Sequence, residues 1–242
     1  MIGNSPHSLR MPPRLAGSNL VRLQQSRAYD VLMRLPLLAF ACAFVIKAAT
    51  DFLRFERDVD PMLPDAVYAL NIAAQLAVIA FFVTLAAMVA ARERPAGKAH
   101  GLEPRVSALI GTFLITMVVL FPRRELSFAA GVASTLLLLA GNALAIYVLT
   151  HLGRSFSIMP EARGLVTSGL YRYVRHPLYL AEMIAAIGTV IQFASSWTAV
   201  ILAVQIAFQL RRMRNEEIVL MEIFPGYAAY KEKTARIIPG IY

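Results

Sequence analysis

Long apolar runs, separated by short polar and charged clusters, set the pattern of this chain. The runs cover 31–50, 66–91, 106–121, 127–150, 178–193 and 197–210. A helix needs about 20 apolar residues to cross a bilayer core; the second and fourth runs meet that length, and the first and third come close. The last two hold about 14 to 16 residues each and fall short by the same measure. Folded back at Ala194, Ser195 and Ser196 they form a hairpin, for which a re-entrant or tilted pair and two ordinary spans both stay open. The expected fold is therefore all-α and integral to the membrane, with about five to six transmembrane helices, the last two a short hairpin.

The polar segments divide the chain into three parts. Residues 1–30 read as a cytoplasmic tail, with a surface helix as an alternative; no apolar core precedes a cleavage site, so they are not a signal peptide. Residues 31–150 read as a four-helix membrane scaffold almost without ionisable groups in mid-membrane, with Gly111, Gly131 and Gly141 available for close helix contacts. Residues 151–242 hold a polar loop, the hairpin and a charged tail that breaks at Pro225-Gly226 between two helical stretches. The chemically capable residues concentrate here, so this part is expected to be the catalytic module.

Composition agrees with the membrane reading: 58% of the residues are hydrophobic and the mean hydropathy is +0.59. The net charge of +9 is spread over loops between spans. That argues for contact with membrane lipids and against nucleic acid. Arg10, Arg14, Arg22, Arg27 and Arg34 precede the first span, acidic residues crowd 51–65, and Arg92, Arg94, Lys98 and Arg105 follow the second. By the positive-inside tendency both termini and both polar clusters of the third part are cytoplasmic, at the inner membrane if the chain is bacterial. Arg123 and Arg124 count slightly against that pattern. A single Cys42 and four scattered histidines allow neither a disulfide framework nor a metal centre.

Two clusters bracket the hairpin. On the entering side, 164–179 (GLVTSGLYRYVRHPLY) places two glycines, Arg172, Arg175, His176 and three tyrosines in a short loop. Its glycines permit close backbone approach to a ligand, and its tyrosines offer flat faces or form an interfacial aromatic belt. On the leaving side, Gln205, Gln209, Arg212 and Glu216 share one face of a continuous helix. Such a stripe faces protein or a polar cavity rather than lipid. Glu182, one turn into the preceding helix, is a second ionisable group at shallow depth. No phosphate-binding glycine loop, Ser-His-Asp order or HExxH motif is present.

LGRSF at 152–156, LVTSGLYRYVRHPLY at 165–179, the pair Glu216-Glu217 and an F-P-x-Y-x-x-Y tail ending at Tyr230 together resemble the isoprenylcysteine carboxyl methyltransferase family. That family belongs to a wider group of integral-membrane, S-adenosylmethionine-dependent methyltransferases that includes phospholipid N-methyltransferases. The resemblance covers about 151–236. It implies methyl transfer from S-adenosylmethionine to a lipophilic or membrane-delivered acceptor, foremost a carboxylate. It also implies that Arg163, Gly164, Leu165, Val166, Tyr171, His176, Pro177, Leu178, Tyr179, Glu216 and Glu217 surround the cofactor. Arg212 matches the position that contacts the acceptor, with Arg175 as a second orienting group. An amine or thiol acceptor needs a proton removed, and Glu182, Glu217 and His176 are candidates. The chain departs from the pattern in the short SIMPEA segment at 157–162, in Leu170 and in Ala181-Glu182, all on the acceptor side. Phospholipid-amine or small-thiol methylation and an NADPH-dependent, sterol-type membrane reductase are the alternatives.

Overall fold

The computed structural model describes residues 34–240. The predicted tail at 1–30 lies outside the described residues. Seven α-helices are present among those residues: α1 (Leu35–Asp58), α2 (Asp65–Ala91), α3 (Glu103–Phe113), α4 (Phe128–Leu152), α5 (Pro177–Gln192), α6 (Ser196–Ile223) and α7 (Tyr227–Lys233). Proline punctuates this order for a physical reason. Pro36, Pro104 and Pro177 lie in first turns, where a missing N–H costs nothing, and Pro64 stops the chain immediately before α2.

α1, α2 and α4, together with α3 and its continuation, are long and apolar enough to cross a membrane. Ile46, Leu53, Val83 and Leu136 point outward at half exposure or more, as lipid-facing side chains do. The third span reaches its length by an unforeseen device. After Phe113 the chain tightens into a 3₁₀ segment, Leu114–Leu120, and the larger rise brings the whole span to about 30 Å. Hydroxyls of Thr112 and Thr116 donate to carbonyls of Ala108 (2.7 Å) and Phe113 (2.6 Å) on either side of the transition.

The hairpin turns where the sequence predicts, but its arms are unequal. Ser195 caps α6: its Oγ accepts from Thr198 N–H while Thr198 Oγ1 accepts from Ser195 N–H, a reciprocal capping box. α6 then runs 28 residues without interruption, through the apolar stretch and on through Arg211 and Glu217. Its apolar part is short as expected, and the helix continues through the charged residues as the shared face of Gln205 to Glu216 requires. Nothing from Leu210 to Glu217 breaks the hydrogen-bond ladder, and the helix ends only at Phe224, before Pro225.

α4 and α5 pack most closely. A Cβ on Gly141 would meet the Ala185 backbone nitrogen at 2.5 Å, and one on Gly188 would meet the Ser134 carbonyl at 2.9 Å. Small residues thus let the backbones touch, and Ser134 Oγ donates to Gly188 O at 2.7 Å across the same seam. Gly131, expected in such a contact, faces open space instead. α5 carries the loop residues at one end of the bundle, the loop face, and α6 returns the Arg212–Glu217 segment to it.

Candidate active site

Two strands of two residues each, β1 (Gly97–Lys98) and β2 (Glu161–Ala162), pair antiparallel and tie the α2–α3 connection to the loop after α4. Flanking backbone bonds from Ala96 N–H to Ala162 O (2.7 Å) and from Ala99 N–H to Pro160 O (3.0 Å) extend the tie. Further on, Val174 forms a parallel bridge with Ala235, so the C-terminal tail returns to cover the loop. Arg175 N–H and His176 N–H donate to the carbonyls of Ala235 (2.9 Å) and Arg236 (3.0 Å).

Glu217 is the hub of this closure. Its Oε1 accepts from Arg175 Nε (3.1 Å), His176 Nε2 (3.2 Å) and Arg236 Nε (2.9 Å), and its Oε2 accepts from Arg236 Nη2 (2.8 Å) with Lys231 Nζ at 3.4 Å. It lies on the part of α6 that emerges from the apolar stretch. Burial opposes its ionisation, but the bonds from His176, Arg236 and Arg175 outweigh that and hold the carboxyl well below the usual carboxylate range. Arg175 also donates to the carbonyls of Lys231 (2.9 Å) and Thr234. The hydrogen-bonding atoms of Arg175 and Glu217 are thus engaged by the tail, and neither residue lines the large cavity.

A second cluster lies one helical turn away and does reach that cavity. Tyr179 Oη donates to Glu216 Oε1, and the Arg212 guanidinium lies over the Tyr179 ring at 4.8 Å with Nε 3.4 Å from the same carboxylate. Arg212 Nη1 donates to Thr112 Oγ1 (2.9 Å), and Nη2 approaches Ser157 O at 3.5 Å. Gln209 Nε2 donates to Glu182 Oε2 (3.0 Å), and Gln205 Nε2 donates to Gly111 O. The predicted stripe is buried along Gln205, Gln209 and Arg212, while Glu216 keeps 20% of its side chain exposed. Arg212, Glu182, Gln209 and Leu178 open onto a cavity of about 800 Å³ inside the bundle.

On the loop side, Arg163 is buried with Nη2 2.6 Å from Glu161 Oε2, while its Nε and Nη1 meet no hydrogen-bond partner among the described residues. Gly164 accommodates Ser155, whose Oγ would lie 2.6 Å from a Cβ there. Val166, Leu170, Tyr171 and Leu178 join one apolar cluster with Leu149 and Phe156, and Leu165 is half-buried beside them in sequence. Sequence reasoning missed Thr112, Ser157 and Glu161. Ser157 Oγ donates to Glu161 at 2.9 Å, so this short segment touches both Arg163 and Arg212. Only the departure at 157–162 hinted at it.

A helical membrane bundle that gathers a buried arginine, two carboxylates and a folded-back tail at the loop end of its last hairpin has the architecture of an integral-membrane methyltransferase. The same overall fold is found in the solved structure of the eukaryotic intramembrane Ras methyltransferase, an isoprenylcysteine carboxyl methyltransferase. That structure aligns with a TM-score of 0.50 over 93% of this chain and 88% of its own, at 17% identity. Residues 134–222 match the sequence profile of the isoprenylcysteine carboxyl methyltransferase family. Protein-S-isoprenylcysteine O-methyltransferase A of Arabidopsis thaliana is 30% identical over 134 residues, 52% of this chain and 68% of that protein. The rat protein-S-isoprenylcysteine O-methyltransferase is 29% identical over 150 residues, 59% of this chain and 53% of that protein. The chain belongs to the isoprenylcysteine carboxyl methyltransferase family, and it is an integral-membrane methyltransferase. These matches do not favour the phospholipid-amine, thiol or reductase alternatives.

Proposed function

We propose that the protein transfers a methyl group from S-adenosylmethionine to the carboxylate of a lipophilic acceptor that enters from the bilayer. The observation that carries this reading is Arg212: a buried cation, braced by Thr112, Tyr179 and Glu216, that opens onto a cavity between the helices. A planar guanidinium matches a carboxylate, and its other contacts keep it from pairing so tightly that the acceptor loses nucleophilicity. A carboxylate is ionised at neutral pH and needs no general base. The main demand on the protein is therefore positioning.

The residues present fit the cofactor. S-adenosylmethionine carries a carboxylate, an ammonium and a sulfonium, and when bound it supplies an activated methyl group. The unpartnered Nε and Nη1 of Arg163 suit its carboxylate, and the partly exposed Glu216 suits a positive group. Gly164, Leu165, Val166, Tyr171, Pro177, Leu178 and Tyr179 would enclose it, with His176 held in place by Glu217. In this reading Arg175 and Glu217 are positioning residues that hold the loop against the tail. Residues 31–150 form the scaffold and 151–242 the catalytic module, with the loop face and both termini cytoplasmic.

The test is transfer of labelled methyl from S-adenosylmethionine to a prenylated or alkylated cysteine thioether acid by purified protein. Base-labile label is the expected ester. Base-stable label on an amine or thiol, or a Glu216→Ala variant that binds S-adenosylmethionine with full affinity, overturns the assignment.

A further inference from the structure

The cavity beside Arg212 does not stop at the site. On α1 its lining runs from Phe40 to Asp58, about 27 Å of helix rise and close to the full depth of a bilayer core. Phe40, Phe44, Phe81 and Phe82 make part of the wall apolar. Phe40 meets Phe113 edge-on at 4.6 Å, which joins α1 to α3 near the inner end.

Another part of the wall carries amides. Asn71 is satisfied: its Nδ2 donates to Val67 O (2.9 Å) and its Oδ1 accepts from Thr135 (3.3 Å). Two others are not. Asn142, 7% exposed, donates Nδ2 to Leu138 O at 2.8 Å, but its Oδ1 accepts no hydrogen bond among the described residues. Gln75 lines the same cavity one turn beyond Asn71, and no hydrogen bond among the described residues reaches its amide. The depths can be ordered. Gly141 packs on Ala181 and Ala185, which puts Asn142 level with Glu182. Thr135, the partner of Asn71, lies about 10 Å further out along α4. Gln75 therefore falls between these two levels. A plain hydrocarbon chain in the cavity would offer neither amide a hydrogen bond, whereas a polar group along the chain would.

We propose that the cavity favours, over a plain hydrocarbon, an acceptor chain with hydrogen-bonding groups in its middle, such as hydroxyl, oxo or amide groups, read by Gln75 and Asn142. This rests on the carboxylate-methylation reading for its head group, which Arg212 holds. The chain's far end emerges among charged side chains, the Lys47–Asp51 pair (2.6 Å) and Arg54. A polar terminus is therefore tolerated there as well.

The experiment uses the full chain in nanodiscs with two acceptors, N-acetyl-S-hexadecylcysteine and its mid-chain hydroxylated analogue. Methyl transfer to each is measured separately. Displacement of tritiated hexadecanoic acid by each is measured alongside, as a readout of the cavity alone. The hydroxylated acceptor is expected to win by about tenfold or more in both readouts, because a site built to bond a polar group rejects the analogue that lacks it. In a Gln75→Leu, Asn142→Leu double variant, or in Gln75→Met alone if the double variant does not fold, that ratio is expected to fall towards unity. Equal use of the two acceptors by the unmodified protein, or preference for the plain chain, overturns the proposal while leaving carboxylate methylation intact. Selective displacement without methylation of either acceptor supports the cavity assignment and sinks the head-group reading instead.

Discussion

Replacing Glu217 by glutamine tests the closure of the site. The substitution keeps the side-chain shape but removes the charge that Arg175, His176, Arg236 and Lys231 share. Removing one partner from a buried ion pair costs about 3–5 kcal/mol. Two of the cations moderate that here, since the Lys231 side chain is 39% exposed and Arg236 lies at the rim, so both can turn to water. Arg175 keeps the carbonyls of Lys231 and Thr234. About 2–3 kcal/mol is left, which in a chain of this size lowers the thermal midpoint by roughly 5–10 °C. The loss should be local first, because Glu217 ties the tail to the loop. Trypsin is expected to cut at Lys231 and Lys233 in the variant well before the bundle opens, and affinity for S-adenosylmethionine should fall with tail docking. Detergent-purified protein followed by a thermal ramp and timed proteolysis gives both readouts. A midpoint within about 2 °C of the parent, together with unchanged tail protection, would refute the view that this carboxylate holds the site shut.

The same hub predicts an acid response. The folded-state carboxyl of Glu217 titrates below its unfolded value, so its contribution is fully present above the ordinary carboxylate range and drains away as pH falls below about 4. Tail protection against an acid protease should hold at pH 5 and drop below pH 4, and Glu217→Gln should flatten that step. Arg212→Lys keeps the charge but loses the fork to Thr112 and Ser157, so kcat/KM for methyl transfer should fall about a hundredfold. A change of less than about threefold would argue against Arg212 as the carboxylate holder. Gly141→Ala forces a Cβ to within 2.5 Å of the Ala185 nitrogen. It should cost about 1–3 kcal/mol, read as a lowered thermal midpoint.

Much of this arrangement was legible in the sequence because it follows from spacing. The Gln205–Gln209–Arg212–Glu216 register needs only helical periodicity, and the hairpin turn at 194–196 needs only a break in hydropathy. What escaped depended on distant partners. Nothing near Glu217 announces that Arg175, forty-two residues earlier, and Arg236, nineteen later, converge on one carboxylate. Hydropathy marks only where lipid burial stops; the helical spacing of Gln205 to Glu216 and the break at Pro225-Gly226 were what carried α6 beyond it. Asn71, Gln75 and Asn142 were lost inside runs read as uniformly greasy, because a single amide barely changes the mean of a long apolar window. Their significance appears only once two helices, α2 and α4, bring them to one cavity.

The unequal arms of the hairpin bear on the surrounding lipid. α5 spans about 24 Å, short of a typical core of about 30 Å. Its far end cannot simply extend, because Arg124 N–H is bonded to Gln192 O at 2.9 Å and Arg123 lies over Phe193 at 5.7 Å. Arg123 and Arg124 directly follow a span of about 30 Å and so mark the opposite headgroups, which leaves the loop end of α5 short of its own interface. The leaflet on the loop side must dip to meet the polar loop, so the protein carries a local dimple and bears a hydrophobic mismatch on one side only. Bilayers of shorter acyl chains relieve that deformation, and turnover should track membrane thickness even with headgroup composition held constant.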